Sequence, residues 1–330
     1  MHSDIIGKPF VRRAFLLSGI ATFAAIMMQE YFGEIAGVFT AVFWTVTSMA
    51  FESAGKKVGS LAVNLIRLVM AFFFIGIYSW FARGFFFPTD ANLFQWQWLA
   101  VSGLVGFVIG DLLLFQAFVV VGARISMLMM SLAPPFAALV GWLLLGEVLD
   151  SQSWLGMVVT MSGIVLVILK REKSTLNGSV VRKLKSSYSV PGILLALGGA
   201  IGQATGLVLS KKGMGEYDAF SASQIRVLAG IAGFSILFIF MKRWPRVWAA
   251  LKHKTAMKRI TLGAFFGPFL GVSFSLLAVQ HTAAGIAATL MAITPVLIIA
   301  PSVIIFKEKI NWKEVLGAII TVGGVALFFL

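Results

Sequence analysis

The chain has 330 residues, of which 59% are hydrophobic and 12% charged, with a net charge of +14 and a mean hydropathy of +0.95. Soluble domains carry about 25% charged residues, so this composition excludes a soluble globule and indicates a polytopic membrane protein. The lack of cysteine excludes disulfides and thiolate metal sites, and the three histidines are scattered, so no metal and no cofactor is expected.

Residues 1–32 differ from the rest of the chain. A basic stretch ending at Arg13 precedes an apolar run of 15 residues, Ala14 to Met28, which is short for a membrane span. Three interpretations stay open: an uncleaved signal-anchor helix that adds one helix to the core, a cleaved signal sequence, and translation that begins at Met27 or Met28.

Ten apolar stretches follow, most of them near the roughly 20 residues that a helix needs to cross a bilayer. They lack the alternation of a membrane barrel, so helices are expected rather than strands. The predicted spans are 33–55, 58–82, 96–121, 124–146, 153–169, 190–210, 218–241, 260–281, 284–306 and 312–330.

The two halves of the chain repeat one pattern. The segment that starts at Ala123 aligns without a gap with the segment that starts at Ala284, an offset of 161 (284 minus 123). Chance rarely matches proline, glutamate and intramembrane arginine at nearly one spacing. The matched pairs are Pro134 with Pro295, Glu147 with Glu308, Gly156 with Gly317, Gly163 with Gly324, Gly106 and Gly110 with Gly267 and Gly271, and, at an offset of 159, Arg67 with Arg226.

Each half holds five predicted spans, an odd number, so the second half enters the membrane in the opposite sense. Such an inverted repeat is typical of secondary transporters. The sequence therefore predicts an all-α polytopic membrane protein with ten core helices in two inverted five-helix repeats. The predicted units are the N-terminal segment 1–32, the first repeat 33–169, a basic linker 170–189 and the second repeat 190–330.

Several of these motifs resemble a known family. The chain resembles a ten-helix member of the drug/metabolite transporter superfamily with two EamA-type halves, over about residues 33–330. The resemblance is carried by "LLLGE" ending at Glu147, its repeat "IIFKE" ending at Glu308, the glycine nine residues after each, and the arginines in "NLIRL" and "SQIRV". It implies export or exchange of a small metabolite through a central cavity, and no enzyme chemistry.

Two other classes of function compete with transport. An intramembrane enzyme is disfavoured, because the sequence contains no HExxH or GxSxG motif and no second mid-membrane aspartate. A non-transporting membrane scaffold would leave the inverted repeat unexplained. The expected partners are a small-molecule substrate and the lipid bilayer, without nucleic acid; the sequence does not decide between a monomer and a homo-oligomer.

The basic residues predict the orientation. The loops after the odd-numbered spans hold 19 of the 27 lysines and arginines, whereas the opposite side has Arg83, Lys211 and Lys212. Basic loops stay in the cytoplasm. We therefore expect a multi-pass protein of the cell (plasma or inner) membrane whose C-terminus lies outside, although the family resemblance implies both core ends inside. The loops expected in the cytoplasm are 56–57, 170–189, 242–259 and 307–313.

One cytoplasmic loop carries a helical pattern. Trp244, Val247, Trp248 and Leu251 follow helical spacing among basic residues, which is typical of a short helix lying in the membrane surface. An extended loop is the alternative.

Asp111 is the most informative candidate site residue. It lies near mid-bilayer, where a charged residue costs roughly 2.5–3.5 kcal/mol on insertion scales. Its repeat mate is Val272, so Asp111 lies outside the symmetric scaffold. We expect it to bind a cationic or amine-bearing substrate or to carry a coupling proton. A buried ion pair with Arg67 is the alternative.

For most of the other candidates a structural role competes with a functional one. Arg67 and Arg226 occupy matching positions, which favours a structural role unless the substrate is an anion that a buried arginine would clamp. Trp44, Gln116 and Gln203 lie deep in spans expected to border the cavity. Prolines are expected to bend the fourth and ninth helices for gating, and the two repeat glutamates to cap helix ends. These residues are Pro134, Pro135, Pro295, Pro301, Glu147 and Glu308.

The orientation is testable with reporters fused to the C-terminus. We expect a phosphatase-type reporter that needs export to be active there, and a fluorescent reporter that folds only in the cytosol to be dark. The opposite pair of results would show that loop charge does not set the orientation of this chain.

Overall fold

The computed structural model describes residues 30–168, 174–176, 179–181, 189–299, 301 and 312–327. The N-terminal segment 1–29, most of the linker and Glu308 lie outside the described residues. Within the described residues the two halves are helical. The linker contributes a two-stranded antiparallel ladder in which Ser174 pairs with Val181.

The first half contains seven α-helices and one π-helical turn. In chain order they are α1 Phe32–Val58, α2 Ser60–Arg83, α3 Leu93–Gly103, the turn Leu104–Gly110, α4 Asp111–Val120, α5 Gly122–Met130, α6 Ala133–Leu145 and α7 Ser151–Ile168. The linker strands are β1 Ser174–Leu176 and β2 Ser179–Val181.

The described part of the second half follows a similar order, with an added surface helix. The elements are α8 Val190–Met214, α9 Ala219–Met241, α10 Trp244–Lys252, α11 Lys254–Ala264, the π-helical turn Phe265–Gly271, α12 Val272–His281, α13 Ala284–Met291, α14 Thr294–Leu297 and α15 Trp312–Ala326.

Among the described residues, six helical segments are long and apolar enough to cross a bilayer by length and composition alone. Shorter apolar helices occupy the fourth, ninth and tenth predicted spans. The chain is therefore an all-helical polytopic membrane protein, and the count of ten core helices stays a prediction. The long segments are Phe32–Val58, Ser60–Arg83, Leu93–Val120, Val190–Met214, Ala219–Met241 and Lys254–His281.

The repeat extends to local irregularities of the backbone. The π-helical turns at Leu104–Gly110 and Phe265–Gly271 are each seven residues long and start 161 positions apart. A π-helical turn inserts an extra residue into a helix and is frequent at functional sites. Asp111 is the first residue after the first turn, and Val272 is the first residue after the second. These two repeat-related positions differ in charge.

The fourth and ninth predicted spans are interrupted at matching positions, each next to a proline. The fourth span breaks between α5 and α6, where Pro134 lies in the first turn of α6. The ninth breaks between α13 and α14, where Pro295 lies in the first turn of α14. Because proline lacks the N–H of a helix interior and fixes φ, it is tolerated at a new helix start. These prolines therefore start new helical segments rather than bend continuous ones.

The two halves are joined by two equivalent contacts. In each, the first span of one half packs along the third span of the other half. α1 packs along the eighth span, and α8 packs along the third span. The crossing of α8 with the third span is close, because a Cβ at Gly206 would lie 2.8 Å from the Cα of Gly106, and one at Gly202 would lie 2.7 Å from that of Gly110. Small residues permit such contact between membrane helices.

The fifth and tenth spans pack mainly against each other. Their contact uses a glycine of one helix against a threonine of the other, in both directions. A Cβ at Gly163 would lie 2.4 Å from Thr321 Oγ1, and a Cβ at Gly324 would lie 2.5 Å from the backbone nitrogen of Thr160. Adding the 161-residue offset turns Gly163 into Gly324 and Thr160 into Thr321, so the two contacts are equivalent, as a pseudo-two-fold relation between the halves requires.

The loop after the seventh span contains the helix that its sequence predicted. In α10, Val247 and Ala250 are buried against the bundle, whereas Trp248 and Leu251 are exposed. Trp244 packs against Phe238 with ring centroids 5.7 Å apart. The helix thus presents an apolar edge away from the bundle, so the extended loop is excluded. Its position in the membrane surface remains a prediction.

The contact between α7 and α15 can be tested with neighbouring glycines. Gly324→Ala should cost about 1–3 kcal/mol, because the added methyl group meets backbone across the interface. Gly323→Ala is the matched control, since no atom of the described residues lies within 4 Å of its added Cβ, and the change should be neutral or stabilising. Thermal unfolding of the two purified variants measures the difference, and equal unfolding temperatures would contradict the packing described.

Candidate functional site

A cavity lies at the centre of the bundle, between the two halves. It has two adjoining lobes, which contain about 580 and 500 Å³ of empty space when the part open to solvent is included. Eight predicted spans, the first to fourth and the sixth to ninth, contribute lining residues, and the fifth and tenth contribute none among the described residues. Both lobes are lined by Trp44, Met127, Met130, Gln203 and Val272. The described residues contain no group of three histidine or carboxylate side chains that could hold a metal.

The 500 Å³ lobe contains the charged pair that the sequence offered as an alternative. Arg67 Nη2 donates to Asp111 Oδ2, and both side chains are buried. Arg67 Nε also donates to Asn64 Oδ1 at 3.1 Å, and Asn64 Nδ2 donates to the carbonyl of Asp111 at 3.2 Å. Asn64 lies three residues before Arg67, one helical turn away. This closed ring of contacts fixes the second span against the start of α4.

Gln203 extends this network into the second half. Its Nε2 donates to Asp111 Oδ1 and, at 3.2 Å, to the carbonyl of Gly106 in the π-helical turn. Asp111 therefore receives hydrogen bonds from both repeats. A buried carboxylate with such donors is stabilised in its charged form, because charge-assisted hydrogen bonds replace those lost to water.

Aromatic rings enclose the two buried arginines. The guanidinium of Arg67 lies 4.5 Å from the ring centroid of Phe115. Phe107 lies between the arginines, with its ring centroid 5.6 Å from the guanidinium carbon of Arg67 and 4.9 Å from that of Arg226. Cations are attracted to aromatic faces in this range. The ring separates two like charges and lowers the cost of burying each one.

Arg226 lines the larger lobe rather than filling a structural position of its own. It is 2% exposed, and its Nε has no hydrogen-bond partner in the described part of the chain. Gly106 makes room for it, because a Cβ there would lie 3.1 Å from Arg226 Nη2. The two repeat-related arginines thus differ: Arg67 is paired and Arg226 faces the cavity.

The structure brings three of the other predicted residues to the cavity. Trp44 and Gln203 line both lobes, and Pro295 lines the larger one. Pro134 is buried at the break of the fourth span, next to the lining residue Ala133. Gln116 lies elsewhere: its side chain accepts a hydrogen bond from Ser60 Oγ at 2.7 Å and lines neither lobe. The proposed cavity role of Gln116 therefore has no support from its position.

Glu147 caps a helix of the opposite half. Its Oε2 accepts a hydrogen bond from the backbone nitrogen of Ala284 at 2.9 Å, at the start of α13. Its Oε1 lies 2.5 Å from Lys211 Nζ, and the same ammonium group donates to the carbonyl of Thr282 at 2.7 Å. A carboxylate at a helix N-terminus is stabilised by the unpaired N–H groups there. The contacts tie the fourth span to the sixth and ninth.

A second polar cluster joins the halves at the same end of the bundle. Arg83 pairs with Asp90 and, at 3.6 Å, with Asp218. Tyr217 donates from its hydroxyl to Asp90 at 2.7 Å. Burial, followed by this hydrogen bond to a carboxylate, raises the pKa of Tyr217 to about 12. The phenol therefore remains a donor at neutral pH.

Several lining residues were not predicted from the sequence. Three methionines line the cavity, and two of them, Met130 and Met291, occupy matching positions beside the two helix breaks. The repeat offset could have identified that pair. Asn64 could have been found from its spacing to Arg67. One sequence signal does separate the two arginines, since the position that matches Asp111 in the second half is Val272 and carries no carboxylate.

The chain was compared with protein-family models, curated proteins and solved structures. A model of the EamA-like transporter family matches twice, over residues 31–169 and 190–330. No curated protein matches the chain. One solved structure, described only as the crystal structure of a protein, is similar with a TM-score of 0.64 and 20% identity, over 90% of this chain and 96% of that one. At that identity the likeness shows the fold alone.

The pair of Arg67 and Asp111 can be tested with a double-mutant cycle. Asp111→Asn should lower the free energy of unfolding by about 3–5 kcal/mol, because Arg67 is left buried without its carboxylate. The double change Arg67→Gln with Asp111→Asn should recover much of that loss. Reversible unfolding in mixed detergent micelles provides the measurement.

Glu216→Gln is the control, because it neutralises an exposed carboxylate and should leave stability unchanged. If Asp111→Asn has wild-type stability, the ion pair contributes little. A transport role for Asp111 would then be the better explanation of its burial.

Proposed function

Because the chain belongs to the EamA-like transporter family, we propose that it is a secondary transporter that moves a small metabolite through the central cavity by alternating access, as an exporter or an exchanger. Transport of small molecules is the activity that the family implies. The single observation that carries the proposal is the cavity itself, which lies between two inverted repeats and is lined by buried charged residues from both.

Polar contacts connect the two halves at one end of the bundle. At this first end, Glu147 with Lys211 and Arg83 with Asp218 connect the first half to the second. We infer a state closed at the first end. Reaching the opposite state would require these connections between the halves to break.

The proposed orientation places the closed end outside the cell. The three basic residues on that predicted side each have a protein partner: Arg83 pairs with carboxylates, Lys211 with Glu147, and Lys212 lies 4.3 Å from the ring centroid of Trp98. Their positions are explained by these contacts, so they weigh little against the many basic residues of the opposite side. A plasma or inner membrane location agrees with this arrangement.

Asp111 has a specific place in the proposal. Its pair with Arg67 and its hydrogen bond from Gln203 hold the wall of the smaller lobe. A coupling proton could reach Asp111 only in a state where the pair with Arg67 opens, because both carboxylate oxygens have donors in this one. We therefore propose that Asp111 holds the cavity wall in this state and that it could carry a coupling proton only in the opposite state.

An intramembrane enzyme and a non-transporting scaffold are the alternatives. An enzyme would convert a metabolite without moving it, and a scaffold would do neither. A comparison of metabolites inside and outside cells that overproduce the protein separates the three: transport changes distribution, catalysis changes identity, and a scaffold changes neither.

Obstruction of the cavity should abolish transport. Ala288 lines the larger lobe and is 5% exposed, so Ala288→Phe places a ring inside it. Release of the transported metabolite should fall by at least about tenfold, or ~1.4 kcal/mol in the limiting step. Ala82→Phe is the matched control, since Ala82 is exposed at the end of α2, and release should stay at the wild-type level. If both variants release metabolites as the wild type does, the cavity is not the transport route.

A further inference from the structure

The two repeat-related arginines have different electrostatic surroundings. Arg67 has the carboxylate of Asp111 in its own half, whereas the position matching Asp111 in the second half is Val272. No carboxylate lies within 4.0 Å of the Arg226 guanidinium among the described residues, and its Nε has no hydrogen-bond partner there. Arg67 is therefore paired directly with a carboxylate, whereas the nearest described anion of Arg226 is the same Asp111, which acts on it only from a distance.

The cavity consequently carries an excess of positive charge. Its described lining contains two arginines and one aspartate, and arginine stays protonated in proteins. A buried unpaired charge is strongly destabilising. The face of Phe107, 4.9 Å away, offsets part of that cost. A bound anion would offset the remainder, and an arginine without another role could be replaced by an apolar residue at a gain in stability.

We propose that Arg226 is an anion-binding residue of the cavity and that its ligand is a small organic monocarboxylate with an apolar body. This inference rests on the transport function proposed above and names its substrate class. A carboxylate matches the planar fork of a guanidinium, which can donate two parallel hydrogen bonds. One unpaired positive charge is balanced by a monoanion, whereas a phosphate dianion would leave excess negative charge in the membrane interior.

The rest of the larger lobe fits an apolar body. Its wall is formed by methionines, Leu207, Trp44 and Pro295. Its two hydroxyl groups are committed to backbone carbonyls, since Ser275 donates to that of Val272 at 2.7 Å and Thr294 to that of Met291 at 2.8 Å. Arg226 is thus the principal donor. Methionine side chains adapt to different shapes, so the site should select charge more strictly than the shape of the body.

Charge selectivity can be measured with three probes that share one apolar body: 3-phenylpropionate, 3-phenylpropanamide and 3-phenylpropylamine. Binding to the full chain in phosphatidylcholine nanodiscs is measured by calorimetry, together with the unfolding temperature. The wild type should bind the carboxylate at least about tenfold more tightly than the amide, and the amine more weakly still.

Variants at Arg226 separate ligand binding from a structural role. Arg226→Gln should remove the preference for the carboxylate over the amide without lowering the unfolding temperature, because it deletes a charge that has no partner. Arg226→Lys should keep part of the preference. A structural arginine would behave differently, with a lower unfolding temperature and an unchanged order of the three probes.

A second variant supplies an internal anion. Val272→Asp places a carboxylate at the position that Asp111 occupies in the first half, and should weaken binding of 3-phenylpropionate at least about tenfold by engaging Arg226. Val272→Asn is its control and should weaken binding less. Equal effects of the two variants would show that the carboxylate does not reach Arg226 and would count against the proposed site.

Three results of the binding measurements would each overturn the proposal. They are equal binding of carboxylate and amide by the wild type, an unchanged preference in Arg226→Gln, and failure of all three probes to bind. Displacement of 3-phenylpropionate by phosphatidylglycerol added to the nanodiscs would identify a lipid headgroup as the occupant, which also overturns a small-molecule ligand. Metabolite release from cells decides the transport function independently, so the anion site can fail while transport stands.

Discussion

The structure depends on one buried ion pair, between Arg67 and Asp111. Either charge alone would be costly in the membrane interior, because an ion removed from water loses its hydration. Together with Asn64 and Gln203 they form a network that joins the second, third and sixth spans. That network fixes the end of the first π-helical turn and forms the wall of the smaller lobe of the cavity. The shape of the cavity therefore follows from how these charges are satisfied.

The scaffold around this pair is nearly symmetric, whereas its chemistry is not. The two π-helical turns, the two proline-marked breaks and the reciprocal contacts of glycine with threonine all recur at an offset of 161 residues. Such symmetry allows one fold to take two related arrangements of opposite access. A bound ligand has no such symmetry, so the residues that meet it need not match. The contrast between Asp111 and Val272 is an example: Arg67 has a directly paired carboxylate, whereas Arg226 has none within 4.0 Å among the described residues.

Much of this architecture was readable from the sequence, and the reasons are local. Composition and apolar run length identify a membrane protein, because a bilayer imposes a length and a polarity on every span. The repeat was visible in Pro134 and Pro295, where a backbone constraint preserves the residue type. The surface helix after the seventh span followed from the spacing of Trp244, Val247 and Leu251. The roles of the arginines were harder to assign, since matching positions suggested one shared structural role.

By itself the sequence determined the class of protein, the two-part repeat, the family resemblance and the depth of Asp111 in the membrane. Only the tertiary structure decided that Arg67 is paired, that Arg226 faces the cavity, that Gln116 lies outside it and that Glu147 caps a helix of the other half. The physical reason is that hydropathy and spacing act along one chain segment. The partner of a buried charge depends on how each helix is rotated and how closely it approaches its neighbours, and those quantities are set by contacts between residues far apart in the chain, such as Gly106 with Gly206.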